Sequence, residues 1–256
     1  MTAIWQDEPQ VRVQNVSLLF KQVKALSDVS FEVARGRIFG LIGSDGAGKS
    51  SLLRLLAGML KPSAGDIFIE GLHNVRKRLK IKPLIGYMPQ RFGLYTDLTV
   101  EENIDFFMDV FGVPRAERRR RKEKYLGFSN LLPFMNRPAG NLSGGMKQKL
   151  GLACVLSHEP KLLILDEPTN GVDPVSRGEF WEILTQMRQE GMTLIVSTAY
   201  LDEGEQCDML ALMHRGVILE TASPAVMKSG HPTLEAALIA RIQEVDRELA
   251  HDTFGL

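Results

Sequence analysis

A glycine-rich octapeptide carries the most specific chemical signal in the sequence. Residues 43–50 read Gly-Ser-Asp-Gly-Ala-Gly-Lys-Ser, which is a glycine, four residues and then Gly-Lys-Ser. An apolar stretch at 38–42 precedes it, and a helix with an apolar face is predicted after it, over 52–60. Backbone N–H groups in such a loop point at phosphate oxygens, and the helix adds the positive end of its dipole. The pattern predicts a site for a nucleoside triphosphate.

Two side chains of this loop have predicted roles of their own. Lys49 is placed to reach the β and γ phosphates, and the Ser50 hydroxyl is a predicted ligand of Mg²⁺. The alternative, a turn that only joins a strand to a helix, leaves the complete pattern unexplained. The predicted ATP-binding residues of the loop are Gly43, Ser44, Asp45, Gly46, Ala47, Gly48, Lys49, Ser50 and Ser51.

Two adjacent carboxylates follow a second apolar strand, at 161–165. An acidic residue at the carboxyl end of a buried strand is where a phosphate-loop enzyme holds Mg²⁺. A second carboxylate beside it can position and deprotonate the attacking water. Asp166 is therefore the predicted magnesium residue and Glu167 the predicted catalytic base. The alternative is an ordinary helix start after a strand.

A second candidate phosphate cradle lies upstream of this acidic pair. Residues 142–148 read Leu-Ser-Gly-Gly-Met-Lys-Gln and open an apolar helix. Ser143 is a predicted N-cap, and the two glycines expose N–H groups at the positive end of the helix dipole. Two cradles on one chain require an explanation.

Short strands and one long helical stretch are predicted to position these residues. The first two strands, at 11–13 and 30–33, are predicted to be antiparallel edge strands. A capping box at 99–102 predicts a helix start, and the sequence reads as helical to about residue 157. The remaining strands are predicted at 38–42, 67–69, 84–88, 162–165, 194–196, 210–213 and 217–219.

The predicted fold class is α/β, because apolar strands alternate with helical segments. It comprises a phosphate-loop NTPase (RecA-like) core with an antiparallel β subdomain. The predicted ATPase domain covers 11–222, with a helical subdomain at about 90–157, and a helical extension follows at 223–256.

Charge balance, cysteine content and the length of apolar runs argue against a nucleic-acid-binding, disulfide-rich or membrane-spanning chain. Basic and acidic residues number 31 each, so no nucleic-acid partner is expected. The basic run at 118–122 is predicted to be a solvated helix face. Cys154 and Cys207 predict reduced thiols and no disulfide framework. Because no apolar run reaches the length of a membrane span, any membrane-spanning part is expected on another chain.

Taken in order, these motifs resemble the nucleotide-binding subunits of ATP-binding cassette (ABC) transporters. The resemblance covers nearly all of residues 11–222, and residues 86–90, 98–103 and 144–148 are most similar to ATPases of ABC-2-type exporters. The motifs that carry it are the loop at 43–50, Gln90, the signature at 142–148, the strand and acidic pair at 162–167, and Gly171-Val172-Asp173.

The resemblance implies an assembly that explains the two cradles. In this family two domains dimerise head to tail, and the signature of one covers the ATP bound to the loop of the other. The implied partners are a second ATPase subunit, in a homodimer or a heterodimer, and ABC-2-type membrane permease subunits. The implied location is the cytoplasmic face of the membrane. The residues implied to contact ATP in trans are Ser143, Gly144, Gly145 and Met146.

The resemblance also implies roles for single residues. Phe20 would stack on adenine, and Asp173 would cross the dimer interface as the D-loop residue. Gln90 would touch Mg²⁺ and the attacking water, while residues 91–97 would contact the permease. The implied catalytic residues are Glu167, Gln90 and Lys49, and the implied Mg²⁺ ligands are Ser50, Gln90 and Asp166.

One position departs from the family pattern. Ala199 stands where the family usually has a switch histidine that contacts the γ phosphate. Losing one such donor costs about 10² to 10³ in rate. Three explanations of Ala199 are open. It is a natural degenerate position that pairs with a complete site on a partner, or a water or Tyr200 takes over the role of the histidine. The third explanation is an engineered substitution. Two milder departures are Asp45, where asparagine is usual, and Met146, where glutamine is usual.

Two rival functions remain at this stage. The first is a soluble ABC ATPase acting on ribosomes or nucleic acid, and it lacks support because the chain has one cassette and no heptad run. The second is a nucleotide-gated regulatory subunit with little ATPase activity, which Ala199 favours.

Overall fold

The computed structural model describes residues 8–254, and side chains over residues 8–247. The strands in this part of the chain are β1 (Val11–Phe20), β2 (Val23–Val33), β3 (Ile38–Ile42), β4 (Ala64–Ile69), β5 (Leu72–His73), β6 (Ile85–Met88), β7 (Leu162–Asp166), β8 (Thr193–Thr198), β9 (Met209–His214) and β10 (Val217–Ala222). The α-helices are α1 (Lys49–Leu56), α2 (Arg78–Ile81), α3 (Val100–Val110), α4 (Arg115–Phe128), α5 (Gly144–Leu156), α6 (Pro174–Gln189), α7 (Leu201–Gly204), α8 (Pro224–Met227) and α9 (Leu234–Phe254).

A six-stranded sheet brings the predicted phosphate loop and acidic pair to one edge. Its order is β10-β9-β3-β8-β7-β6, and only β10 runs antiparallel to its neighbour. β3 and β7 both pair with β8, so their carboxyl ends open on the same side. Ligands of such sheets bind at this edge. The α/β fold class with a phosphate-loop NTPase core is confirmed.

A second sheet, of order β2-β1-β4-β5, is antiparallel. The prediction that the first strand lies at an edge was wrong for β1, which pairs with both β2 and β4. The start of β4 was missed because its first three residues, Ala-Gly-Asp, are exposed and have the composition of a turn. The hairpin strands β1 and β2 are also longer than predicted, since their exposed residues break the apolar pattern.

Helix α1 ends earlier than the predicted residue 60. Its last helical residue is Leu56, and Gly58 adopts a left-handed conformation with φ of 69°. The Gly58 and Met59 N–H groups donate to carbonyls of the last turn, at 3.0 and 2.9 Å. This is the hydrogen bonding of a glycine-terminated helix.

The helical segment begins as the capping box predicts. Thr99 Oγ1 accepts from the Glu102 N–H at 3.1 Å, and Glu102 Oε2 accepts from the Thr99 N–H at 2.8 Å. The prediction of a solvated basic face at 118–122 was wrong in part. The Arg121 side chain is only 11% exposed and donates to the Ser157 carbonyl at 2.9 Å. Lys122 lies against α3, where it pairs with carboxylates of that helix.

The described part of α9 packs onto the core of the six-stranded sheet. Leu234, Ala237 and Leu238 are buried, and the first and last of these join the core cluster. Cys154 and Cys207 are buried free thiols, as predicted. Among the residues that the structure describes, no helix has the length and apolar character to span a bilayer.

Candidate nucleotide site

The phosphate loop requires glycine at its first position. Gly43 has φ of 152°, and a Cβ atom there would lie 2.1 Å from the Met213 carbonyl oxygen. Gly48 has φ of 103° and caps α1, and a Cβ there would lie 2.9 Å from the Ala25 carbonyl oxygen. Only glycine allows β2, β9 and the loop to approach this closely.

Lys49 is buried at the bottom of this loop, with 4% of its side chain exposed. Its ammonium donates to the carbonyl oxygens of Gly43 at 2.8 Å and Ser44 at 3.1 Å. It also lies 3.5 Å from Glu167 Oε1. The structure therefore brings together the lysine and the carboxylate that the sequence predicts to share a site.

Asp166 is the buried acceptor between two hydroxyl groups. Ser50 Oγ and Ser197 Oγ each donate to Asp166 Oδ1 at 2.9 Å, and Asp166 is 1% exposed. These hard oxygen donors fit Mg²⁺, which prefers carboxylate and hydroxyl oxygen ligands. Sequence analysis missed Ser197, because only the pairing of β8 with β7 brings it to Asp166.

Three polar groups hold Glu167 besides Lys49. Gln90 Nε2 donates to Glu167 Oε2 at 2.8 Å, and Asn170 Nδ2 donates to the same oxygen at 3.2 Å. The Glu167 N–H donates to Ser197 Oγ at 2.9 Å. Glu167 has φ of 46°, an uncommon conformation for a non-glycine residue, which is found in active sites. Asn170 was not anticipated from the sequence.

An open cleft of about 650 Å³ lies beside the phosphate loop. The loop residues that reach it run from Asp45 to Ser51, and Gln90, Glu167 and Asn170 form another wall. The other lining residues are Val23, Lys24, Ala25, Arg215 and Gly216. Phe20 is 45% exposed and pairs with Val23 at the end of the hairpin, so it neighbours the lining without belonging to it.

The signature segment lies apart from this cleft. Ser143 caps α5 by accepting from the Met146 N–H at 3.3 Å, and Ser143 and Gly144 are exposed. Gly145 packs on α6, where a Cβ would lie 2.5 Å from the Ser176 side chain. None of residues 143–146 lines the cleft around the phosphate loop. Within the described chain, the two predicted cradles do not form one site.

Asp173 is the N-cap of α6. Its Oδ1 accepts from the Ser176 N–H at 2.9 Å, and this hydrogen bond lowers the pKa of the Asp173 carboxyl. The side chain is exposed, as the sequence predicts for a helix cap.

The segment after β8 is tied down by a buried carboxylate. Glu203 is 1% exposed and accepts from Thr169 Oγ1 at 2.6 Å, Thr198 Oγ1 at 2.5 Å and Arg177 Nε at 3.2 Å. Ala199 is exposed, and the Tyr200 ring lies under the Arg177 guanidinium at 3.9 Å. Tyr200 does not line the cleft, so this arrangement gives no support to Tyr200 as a substitute for the switch residue.

The fold and the site together define a phosphate-loop nucleoside-triphosphate-binding domain. Its loop follows a parallel strand and caps a helix, with an acidic residue at the end of another strand of the same sheet.

Comparison with known proteins identifies the family. The model of the ABC transporter family matches residues 26–170. The chain is 46% identical over 203 residues, 79% of its length and 35% of the relative, to the probable multidrug ABC transporter ATP-binding protein YbhF of Escherichia coli. It is 31% identical over 248 residues to the linearmycin resistance ATP-binding protein LnrL of Bacillus subtilis, covering 94% of this chain and 80% of LnrL.

A solved structure of an ATP-binding subunit of an ABC transporter superimposes with a TM-score of 0.81 at 28% identity, covering 91% of this chain and 99% of that chain. The chain belongs to the ABC transporter family and is an ATP-binding domain of that family. It spans about a third of the length of YbhF.

Proposed function

We propose that the chain is the ATP-hydrolysing subunit of an ABC-2-type exporter. It binds ATP with Mg²⁺ in a head-to-tail dimer with a second ATPase subunit, and it drives a separate permease from the cytoplasmic face of the membrane. The observation that carries the proposal is the convergence of Lys49, Ser50, Gln90, Asp166 and Glu167 on one strand edge.

The residues have complementary roles in hydrolysis. Glu167 accepts a proton from water, whose oxygen attacks the γ phosphorus while the bond to the ADP oxygen breaks, so that ADP and phosphate leave. Lys49 exchanges its contact with Glu167 for phosphate oxygens and stabilises the developing charge. Gln90 and Asn170 hold the base in place.

The Mg²⁺ ion is assigned to Ser50 and Asp166. Gln90 donates to Glu167 through its amide nitrogen, so its amide oxygen would be available as a further ligand for Mg²⁺. When bound, Mg²⁺ neutralises charge on the β and γ phosphates.

An exposed aromatic patch supports the permease as partner. Tyr95 and Phe106 stack edge to face at 4.6 Å, and they are 47% and 36% exposed. Val110 lies one helical turn beyond Phe106 and is 61% exposed, and Phe111 next to it in sequence is 37% exposed. The patch includes part of the loop after Gln90, and exposed apolar patches commonly mark interaction surfaces. Sedimentation of the tagged chain with membranes rather than ribosomes checks this partner.

Export is supported by the names of the relatives. YbhF is named as a probable multidrug transporter protein and LnrL as a linearmycin resistance protein. A protein from Ralstonia nicotianae that is 35% identical to this chain is named as a Nod factor export protein. A methionine import protein, MetN of Carboxydothermus hydrogenoformans, is 34% identical, so importers share this cassette. Transport assays in oriented vesicles therefore have to determine the direction.

ATP hydrolysis by the purified chain tests the enzymatic part of the proposal. We expect Glu167→Gln to abolish turnover because it removes the base, while ATP binding persists. Glu182→Gln is the matched control, since Glu182 is an exposed residue of α6. Equal rates for the parent and Glu167→Gln would contradict the assignment of the base.

The second candidate is a nucleotide-gated regulatory subunit with little activity. Ala199 favours it, because an exposed methyl group at the switch position offers no donor to the γ phosphate. Binding of ATP without turnover in the parent would support this candidate.

A further inference from the structure

The turn between β9 and β10 is fastened directly to the phosphate loop. The Gly216 N–H donates to the Ala47 carbonyl at 3.0 Å, and the Ser27 N–H donates to the Gly216 carbonyl at 2.8 Å. Gly216 has φ of 81°, and a Cβ there would lie 2.7 Å from the Ala25 carbonyl oxygen. The backbone of Arg215 is therefore held at a fixed place beside the loop.

Arg215 is a lining residue of the cleft, and its side chain is 62% exposed. The other charged lining residues are Lys24, Lys49, Asp45 and Glu167, so Arg215 gives the lining one more cation than carboxylate. A surplus of cations favours the binding of a polyphosphate, and guanidinium is well suited to phosphate oxygens. The surplus matters more here because Asp45 adds a negative charge to the loop itself.

A carboxylate of the C-terminal helix holds this guanidinium. Asp246 Oδ1 on α9 lies 3.2 Å from Arg215 Nη2 and 2.9 Å from His214 Nε2. The hydrogen bond to His214 and the charge of Arg215 lower the pKa of the Asp246 carboxyl, so it is a charged competitor for the guanidinium at neutral pH. Since α9 is anchored by buried Leu234 and Leu238, Asp246 is held by the fold.

We propose that Arg215 binds the phosphates of ATP and that Asp246 competes with ATP for it, so that helix α9 sets the nucleotide affinity. The inference rests on the proposed function, because it assigns a further residue and a regulation to the same cleft. In this arrangement, any event that moves α9 away from the turn between β9 and β10 releases Arg215 and strengthens ATP binding.

Calorimetric titration of the full chain with Mg²⁺ and the non-hydrolysable analogue AMP-PNP tests the proposal. We expect Arg215→Gln to weaken binding by about 3- to 10-fold, and the loss to shrink at high salt. We expect Asp246→Asn to tighten binding by about 2- to 5-fold, the range of a partly exposed ion pair. Glu244→Gln is the matched control on α9, because Glu244 pairs with Arg241 rather than with a cleft residue.

The double variant and thermal unfolding separate regulation from a structural role. With Arg215→Gln in place, Asp246→Asn should have no further effect on affinity. Asp246→Asn should raise affinity without raising the unfolding temperature, whereas a structural role would move both in one direction. Equal affinities for the parent and Arg215→Gln would overturn the inference alone. No binding by the parent would overturn the proposed function as well.

Discussion

Close contacts with neighbouring atoms restrict which side chains two positions of the phosphate loop can carry and where those side chains lie. Gly43 is fixed by the carbonyl of Met213 on a different strand. Lys49 lies among two carbonyl oxygens and Glu167, so ATP binding requires its ammonium to exchange these oxygens for phosphate oxygens. Each constraint can be tested by a small substitution.

Replacing Gly43 tests the closeness of the loop to β9. Gly43→Ala would place a methyl group 2.1 Å from the Met213 oxygen, so the loop must shift and the free energy of unfolding should fall by more than about 2 kcal/mol. Gly46→Ala is the matched control, because Gly46 also has positive φ but open space at its Cβ. The control should cost only about 1 kcal/mol. Equal losses in urea unfolding would contradict the steric argument.

Restoring a donor at the switch position tests the role of Ala199. We expect Ala199→His to raise turnover by about 10²-fold, because one well-placed donor to the transferring phosphoryl group has that effect. Ala199→Leu adds bulk without a donor and should leave turnover at the parent's value. Steady-state hydrolysis with ATP binding measured in parallel distinguishes these outcomes. Equal rates for the histidine and leucine variants would show that the donor is supplied elsewhere.

At the scale of elements, helix α4 differs from its sequence pattern. Its consecutive basic residues look like a solvated face, yet they point in different directions around the helix. Arg119 is 91% exposed, whereas Arg121 is 11% exposed and reaches the end of α5. Glu117 and Glu159 both pair with Arg121. About half a turn of helix thus separates a residue in solvent from one that joins two helices.

The two arginines provide an internal comparison of this difference. We expect Arg121→Ala to lower the free energy of unfolding by about 1–3 kcal/mol, because it leaves the Ser157 carbonyl without its partner and removes buried pairing. Arg119→Ala should change stability by less than about 0.5 kcal/mol, since its pair with Glu123 is exposed. Denaturant titration measures both, and similar losses would refute the structural role of Arg121.

Residue types and apolar runs within short segments were sufficient to predict the phosphate loop and the acidic pair. The loop at 43–50 and the two carboxylates at the end of β7 follow from residue type and neighbouring apolar runs. Contacts between distant segments could not be predicted, because Ser197 meets Asp166 only through the register of β7 and β8. The burial of Arg121 likewise depends on how α4 packs against α5.

At the scale of the whole molecule, the chain has two phosphate-binding features that do not meet. The cleft beside the loop lacks any residue of the signature segment, and Ser143 and Gly144 are exposed. The proposed head-to-tail dimer accounts for this separation, because each signature then completes the site of the partner. ATP binding to one chain and dimer formation are therefore separable properties.

A substitution in the signature tests this separation. In the Glu167→Gln background with ATP, we expect the chain to dimerise and Ser143→Arg to prevent dimerisation by placing a bulky side chain at the interface. ATP binding by the monomer should persist, because Ser143 does not line its own cleft. Ser229→Arg, at another exposed position, is the control and should leave the dimer intact. Light scattering reports the mass. A dimer that survives Ser143→Arg would count against the head-to-tail arrangement.

The buried thiols make the unmodified chain a convenient background for spectroscopic labelling. Burial raises the pKa of Cys207 to about 12 and that of Cys154 further, so neither is a reactive thiolate at neutral pH. These are the only cysteines of the chain. A cysteine introduced at exposed Ser229, the position expected to leave the proposed dimer intact, would therefore take a maleimide dye or spin label selectively. Distances between labelled subunits would then report the opening and closing of the proposed dimer.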